Sequence, residues 1–512
     1  MILAVQSHKM SNMTMNKNIC VLSLDLGTGG VKASLVTADG NILGNGFASY
    51  PTYCDADGRR EQCPEEWWAA VVSSVRELLT AVKKHPPIAA IGISGHSMGR
   101  VPVDREGRLL EQYTPIWSDS RARDEAAEFF DKIAWDEWYR TTGNGSPPPH
   151  YAVFKIMQLK KNAPDIYDSA AAFLGTKDYI NMKLCGEICS DRSYATGSGV
   201  YDLVRDEWNA DYITACGIDP AKLPRLYNST DIIGHVAQDA AKTLGIDSGI
   251  PVVAGGVDNG CMALGAGCIR TGEAYCSLGS SSWIAAVSST VDADVNSKPY
   301  IFGHCLPGLK LTHEGIFSSG TSHDWVINNM FCDLDRETRY AEFDRLAASS
   351  PVGANGLMFC PALAGGSSAD PSPDMRGSFV RLDLSHTRAD IARATLEGLA
   401  LQLRYVSECM LPDIKCLTLT GGGARSHLLR QIFADVFGVP VAVSSVTRHT
   451  AALGAAALAL VGVGAHENFD FISGVLADRE ITKPIHENEN KYNEIQKDFA
   501  NVMHFLGELG KA

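Results

Sequence analysis

The chain lacks any apolar run that could cross a membrane. A spanning helix needs about 20 mostly apolar residues. The nearest candidate, 451–465, is rich in Ala and Gly. Such small residues suit a buried helix packed closely on a neighbour. The start also lacks the roughly 7–15-residue apolar core of a secretory signal. Met1 to Val5 is too short a stretch, so 1–18 reads as a disordered leader, with Met15 an alternative start. Positive charge is in deficit: 45 Lys and Arg against 59 Asp and Glu give a net charge of −14 over 512 residues. A nucleic-acid partner needs clustered Lys and Arg, so none is expected. A small anionic ligand is still allowed, because backbone N–H groups can hold it. The 14 Cys show no metal-ligand pattern: Cys185 and Cys189 lie four apart with no second pair at a comparable spacing. Scattered thiols without a secretory signal point to a reducing cytoplasm and free buried cysteines. There is no Walker sequence and no His-Arg-Asp with Asp-Phe-Gly, which removes the P-loop and protein-kinase machines.

What is present is a globular composition, 45% hydrophobic and 20% charged, in a chain too long for one ordinary domain. Alternating apolar residues from Cys20 to Asp25 and from Val31 to Val36 flank a Gly-rich turn, which predicts a β-hairpin. Asp39-Gly40 marks the next turn. Pro64 opens a helix expected over 65–84, with Trp68, Val71, Val72, Val75, Leu78 and Leu79 at helical spacing. Ile88 to Ile93 is a short buried strand running into a turn, Ser94 to Gly99. Residues 120–250 read as mostly helical, with Gly143 to Pro149 a loop. A strand from Gly249 then enters a Gly-rich turn carrying Asp258. The first hairpin has an echo: Leu26-Gly27-Thr28 matches Leu278-Gly279-Ser280, each after an apolar strand. A repeat about 250 residues apart predicts two similarly built domains. A third Gly-rich loop, Gly421 to Gly423, lies between a strand and a helix starting near Ser426.

Three Gly-rich loops after apolar strands predict a nucleotide cleft. Exposed N–H groups and the hydroxyls of Thr28 and Ser280 to Ser282 can wrap phosphate oxygens, and glycine lets backbone approach closely. Asp25 and Asp258 are the acids inside these turns. Phosphoryl transfer needs Mg²⁺ on the phosphates and a carboxylate for the attacking hydroxyl, and two acids on opposite walls can divide those jobs. The bland alternative is that each acid caps its own turn.

The ordered set Asp25 to Thr28, Glu61-Gln62, Ser94-Gly95, Trp117 to Arg121, Lys177 to Tyr179, Gly255 to Asn259, Ser277 to Gly279, Leu396 to Gly398 and Gly421 to Arg425 resembles the FGGY carbohydrate kinases, xylulokinase-like members above all. The resemblance runs from about residue 19 to 465. It implies two α/β domains of the actin/hexokinase-like (ribonuclease H-like) type, with mixed five-stranded sheets facing across a deep cleft. The corresponding division is 19–254 for the sugar-binding domain, 255–470 for the nucleotide-binding domain, and 471–512 for a linker and a C-terminal helix packing back. The resemblance also implies ATP and Mg²⁺. Asp258 would be the general base, with Asp25 and Asp258 near the metal. Thr28, Gly29, Gly279, Ser280 and Ser281 would face the phosphates, and Gly421, Gly422 and Gly423 the adenosine. His96, Ser97, Met98, His150, Tyr151 and Asn259, with Asp258, would meet the sugar.

Substrate is where the chain departs from the family. Xylulokinases carry a turn like Ser-Gly-Gln-Met-His-Gly where this chain has Ser94-Gly95-His96-Ser97-Met98-Gly99, and the Arg–Glu pair of glycerol kinases is absent too. The Gly-Glu-Arg-x-Pro stretch is Gly365-Gly-Ser-Ser-Ala369 here, and Arg381 stands where a Gly is usual. The expectation is an ATP-dependent kinase acting on a terminal hydroxyl of a ketopentose. Glycerol, erythritol, gluconate or a hexulose is the alternative acceptor. From another class, an actin- or chaperone-like ATPase is the alternative. A chaperone would continue into a peptide-binding β-domain, whereas 488–509 reads only as an amphipathic helix. An idle sugar sensor would be expected to lose Asp25 or Asp258. A cytoplasmic place is expected, and a homodimer is allowed but not specified.

Overall fold

A computed structural model describes residues 18–511 apart from 146, 292, 293, 296, 297, 368, 409, 411–413 and 445–448. All but the last residue of the expected leader, Met15 included, lies outside the described residues.

Two mixed sheets organise the chain. The first takes β1 (Cys20–Gly27), β2 (Gly30–Thr37), β3 (Ile42–Ser49), β4 (Ile88–Gly95), β5 (Ile232–His235), β6 (Pro251–Val253) and β7 (Gly256–Val257), in the order β5-β6-β4-β1-β2-β3 with β7 also on β4. The second takes β8 (Glu273–Leu278), β9 (Ser282–Ser288), β10 (Tyr300–Gly303), β11 (Lys310–Ile316), β12 (Cys416–Gly421), β13 (Val441–Val443) and β14 (Glu480–Thr482), in the order β10-β11-β9-β8-β12-β13-β14.

The echo between Leu26-Gly27-Thr28 and Leu278-Gly279-Ser280 is a repeat of topology. β1 and β2 form an antiparallel hairpin, β3 continues it antiparallel, and β4 and then β6 run parallel to β1. β8 and β9 form the matching hairpin, with β11 antiparallel beyond and β12 and β13 parallel on the other side. Each sheet has seven strands, not the expected five. The five-strand pattern is intact inside each. The extra strands, β5 and β7 in one sheet and β10 and β14 in the other, are two to four residues long. Segments that short carry too little alternation to be seen in sequence.

The main helices are α1 (Pro64–Ala81), α2 (Thr176–Cys185), α3 (Asp258–Gly265), α4 (Gly320–Met330), α5 (Arg388–Val406), α6 (His427–Phe437), α7 (Thr450–Gly462) and α8 (His486–Lys511). α1 starts with Pro64 at its first turn, as expected, but ends three residues before Lys84. The helix stops at Val82, whose φ −105° and ψ 75° are not helical and whose N–H closes the last turn on the Leu78 carbonyl. The expected helical stretch 120–250 is mixed with short strands and divides between two cores: Phe129, Trp138, Tyr151 and Phe154 anchor one, while Leu174, Tyr179, Ile180 and Leu244 pack in the core of the first sheet.

α7 decides how the halves join. It is the Ala- and Gly-rich run, buried from Thr450 to Leu460. Although late in sequence, it packs on the first sheet: Ser23 Oγ donates to the Ala452 carbonyl at 2.6 Å. A Cβ on Gly454 would lie 1.9 Å from the Cys261 carbonyl oxygen, and one on Gly265 would lie 1.8 Å from that of Thr450. The backbones of α3 and α7 are therefore in contact, as small residues allow.

Candidate active site

In parallel sheets the carboxyl ends of the strands make the natural binding edge. Asp25 of β1 is paired with Ser94 of β4, and Ser94 is paired with Gly256 of β7. One row across the sheet thus carries Asp25, Ser94 and the turn that leads to Asp258. Ser94 Oγ donates to Asp25 Oδ1 at 2.9 Å. Asp258 is the first residue of α3, and its Oδ1 accepts from the Asn259 N–H at 2.8 Å. As residues, Asp25 and Asp258 are neither fully buried nor exposed.

Their electrostatics show that they share one site. Burial pushes the Asp258 carboxyl up to about 7; the Asn259 N–H bond opposes the rise, and the charge of Asp25 adds to it. Burial likewise raises Asp25, against the Ser94 hydrogen bond and the Lys32 charge. Two carboxylates that disfavour each other's charge suit a proton acceptor or a cation.

The two hairpin turns are exposed at Gly29 and at Gly279 and Ser280. Thr28 is anchored on both sides: Gln62 Nε2 donates to its carbonyl at 2.7 Å, and Trp117 Nε1 donates to its hydroxyl at 3.0 Å. The second turn is braced by the start of α4. Ser319 and Thr321 N–H groups donate to the Ser280 carbonyl at 2.9 and 3.1 Å, and Gly320 N–H donates to that of Gly279 at 3.0 Å. Those donors hold the loop in shape. Leu278 of β8 is paired with Gly421 of β12, so the second and third loops leave adjacent strand ends. Gly421 has φ +85°, and a Cβ there would lie 2.5 Å from the Leu278 carbonyl oxygen. Only glycine fits that crossing. Gly279, Ser280, Gly422 and Gly423 line one cavity of about 550 Å³, with Leu396 and Leu429 as apolar wall. Sequence reasoning quoted Leu396 only as part of a motif and missed Leu429 and the α4 bracing. The hydroxyl-rich run Ser318-Ser319-Gly320-Thr321 was the available signal for the second.

The sugar-facing expectations fare unevenly. His96 is only 2% exposed, and its ring turns inward to Thr176 Oγ1, 3.2 Å from Nδ1, with the edge of Trp67 beside it. Burial, then the charge of Lys155, lowers it to about 4, so it is neutral. Tyr151 is fully buried in the aromatic core and donates to the Gly145 carbonyl at 3.1 Å. Neither ring faces solvent: His96 is held by the Thr176 hydroxyl and Trp67, and Tyr151 by the aromatic core. Ser97 and Met98 are buried too and pack on Gly197. Met98 holds φ +62°, a conformation costly for a side-chain-bearing residue and often kept at functional turns. His150 stays half-exposed; burial and Lys155 lower it to about 4, with Asp119 and Arg123 also acting on it. Trp117 is 42% exposed beside Thr28, an aromatic the motif contained without a role.

The buried Lys155 ties these pieces together. Its Nζ donates to the carbonyls of Ile116 at 2.6 Å and Met98 at 3.0 Å, with Trp117 O at 3.5 Å. It links the Ser94–Gly99 turn to the segment whose indole holds Thr28.

Comparison with known proteins agrees with this geometry. The N-terminal domain model of the FGGY family of carbohydrate kinases matches 20–265, and its C-terminal domain model matches 274–463. A xylulose kinase of Staphylococcus epidermidis is 30% identical over 481 residues, covering 93% of this chain and 94% of that protein. A gluconokinase of Bacillus subtilis is 29% identical over 501 residues, covering 95% and 96%. The crystal structure of xylulose kinase from Rhodospirillum rubrum superposes with a TM-score of 0.87 at 28% identity, covering 96% of this chain and all of that one.

Proposed function

The chain belongs to the FGGY family of carbohydrate kinases, ATP-dependent phosphotransferases with an alcohol acceptor, and from that premise we propose that its acceptor is the terminal hydroxyl of a ketopentose of the xylulose type. The observation that carries the chemistry is the row holding Asp25, Ser94 and the Asp258 turn at one sheet edge. In this reading Asp258 takes the proton of the attacking hydroxyl. A carboxylate raised to about 7 is matched to that task near neutrality. Thr28, Gly29, Gly279, Ser280 and Ser281 hold the phosphates through N–H groups and hydroxyls, while Gly421, Gly422 and Gly423 give the adenosine bare backbone. Ser97 and Met98 shape the sugar turn through their backbone, and Asn259, His150 and Trp117 supply polar and flat contacts.

Mg²⁺ fits these residues. It binds through one or two carboxylates plus substrate phosphates rather than in an all-protein cage. Among the described residues no group of three or more His, Cys, Asp or Glu forms such a cage, whereas Asp25 and Asp258 form a pair with mutual repulsion to relieve. When bound, the ion neutralises charge on the phosphates. Asp25, fixed by Ser94, and Asp258 would hold it.

Gluconate is the second acceptor in this reading, favoured by the Bacillus relative. An ADP-release screen over pentuloses, hexuloses, pentitols, tetritols, glycerol and gluconate decides. Xylulose is expected to give the highest kcat/KM. A higher value for any other acceptor overturns the substrate reading. A further variant tests the sugar turn. Lys155→Met would strand the Met98 and Ile116 carbonyls, at about 1–3 kcal/mol for each buried group. The acceptor KM should rise about tenfold or more, with a smaller rise in ATP KM transmitted through Trp117 and Thr28. Equal losses on both substrates would speak against a turn-specific role.

No helix among the described residues is long and apolar enough to cross a membrane. A cytoplasmic place is supported by the described cysteines, which are all free; recovery of the activity from a membrane or secreted fraction would count against it. A homodimer is supported by exposed Leu382 and Leu384, whose loop is tied by Arg381–Asp498 to α8, where Phe505 and Leu509 are exposed. Sedimentation of a monomer at micromolar concentration would remove it.

A further inference from the structure

The turn that aims Asp258 is held from behind by a buried polar chain. Lys177 Nζ lies 2.5 Å from Asp178 Oδ1 and 2.8 Å from Asp191 Oδ1. Asp191 Oδ2 accepts from Ser193 N–H at 2.8 Å, from Ser193 Oγ at 2.5 Å and from Ser229 Oγ at 2.9 Å. Ser193 Oγ in turn accepts the N–H of Val257, the residue before Asp258, at 3.0 Å. The other end of the turn is gripped as well. The Ala254 carbonyl accepts from Lys177 Nζ at 3.1 Å and from Asn181 Nδ2 at 2.9 Å.

Lys177, Asp178, Asp191 and Ser193 are all 1% exposed or less. One cation sits between two anions, so the cluster keeps a net negative charge that Ser193 and Ser229 help to satisfy. A hydroxyl has one proton to give. Ser193 gives its proton to Asp191, which leaves a lone pair directed at Val257. The ion pair thus fixes the rotamer of Ser193, and Ser193 fixes the start of α3.

We propose that Ser193, oriented by the Lys177–Asp191 pair, is a positioning residue that sets the aim of Asp258. The inference rests on the reading of Asp258 as the general base. A base displaced by about 1 Å can cost on the order of 100-fold in rate. The loss falls on the chemical step, because Ser193 bonds the turn before Asp258 and none of the three phosphate and adenosine loops.

The test is steady-state kinetics on Ser193→Ala and Ser193→Thr in the full chain, with kcat expressed per ATP-binding site so that unfolded protein does not count. Ser193→Ala is expected to lower kcat about 10- to 100-fold, with acceptor and ATP KM within about twofold. Ser193→Thr keeps the hydroxyl and should recover to within about threefold. A kcat for Ser193→Ala within twofold of wild type overturns the proposal. So does an equal loss in Ser193→Thr, since the hydroxyl would then not be the active element. Should Ser193→Ala not fold, Ser193→Cys replaces it: its weakly accepting thiol should cost about tenfold, and full activity overturns the proposal. An Asp258→Ala control separates the two readings. Turnover retained in that variant removes the base assignment, whereas an inactive Asp258→Ala beside an unaffected Ser193→Ala removes only the positioning role.

Discussion

Replacing Asp258 with Ala is expected to lower sugar phosphorylation about 10³-fold, while ATP affinity changes by less than about twofold. A positioned general base is worth about 10²–10⁴. The middle of that range rather than its floor is expected here because the other carboxylate at this edge, Asp25, is committed to Ser94 Oγ at 2.9 Å. ATP affinity is spared because the cavity lined by Gly279, Ser280, Gly422 and Gly423 belongs to the second sheet, and the variant leaves Thr28 and the other proposed metal carboxylate, Asp25, in place on the first. Asp258→Asn sharpens the test. It keeps the shape and can still accept the Asn259 N–H, now through a neutral oxygen, but it cannot take a proton. Equal losses in Ala and Asn would identify proton transfer as the missing function. Near-normal ADP release in Asn would identify orientation, and the base would have to be another group. Calorimetric titration with ATP checks the binding half of the prediction.

How much of this site was readable depends on what each residue does. Asp25 and Asp258 were legible because a carboxylate in a Gly-rich turn after a strand has few reasons to be there, and the register does place both turns on one edge. The repeat was legible from one matched tripeptide, since a hairpin flanked by parallel strands recurs in the same order in both sheets. The inward turn of His96 and Tyr151 was not legible, for a common reason. Sequence shows that a polar ring lies near a turn, but not which side of the turn it takes. His96 takes the side of Thr176 and Trp67, and Tyr151 the side of Trp138. Ser193 and Lys155 had no legible signal. Their partners, Val257 and Met98, lie 64 and 57 residues away, and a buried serine or lysine has no spacing pattern of its own.

A large structural effect is expected at Gly454. A Cβ there would lie 1.9 Å from the Cys261 carbonyl oxygen and 2.9 Å from the Cys261 Cα, so the obstacle is backbone and cannot swing aside. α7 cannot retreat either. On its other side, a Cβ on Gly92 would lie 2.2 Å from the Ala455 carbonyl oxygen, and Ser23 is hydrogen-bonded to Ala452. Overpacking costs about 1–3 kcal/mol where side chains can adjust and more where they cannot. Gly454→Ala should therefore cost more than about 3 kcal/mol and lower the melting temperature by roughly 5–10 °C. Gly474 is the control: no atom lies within 4 Å of its added Cβ and its φ is ordinary, so Gly474→Ala should stay within about 0.5 kcal/mol of the parent. The effect should reach activity too, because the helix forced away is α3, whose first residue is Asp258. Phosphorylation per ATP-binding site should fall even at temperatures where Gly454→Ala is folded. Melting with the parent would mean that α3 and α7 can separate without cost, and that the small-residue run is not what sets the distance between the two halves of the chain.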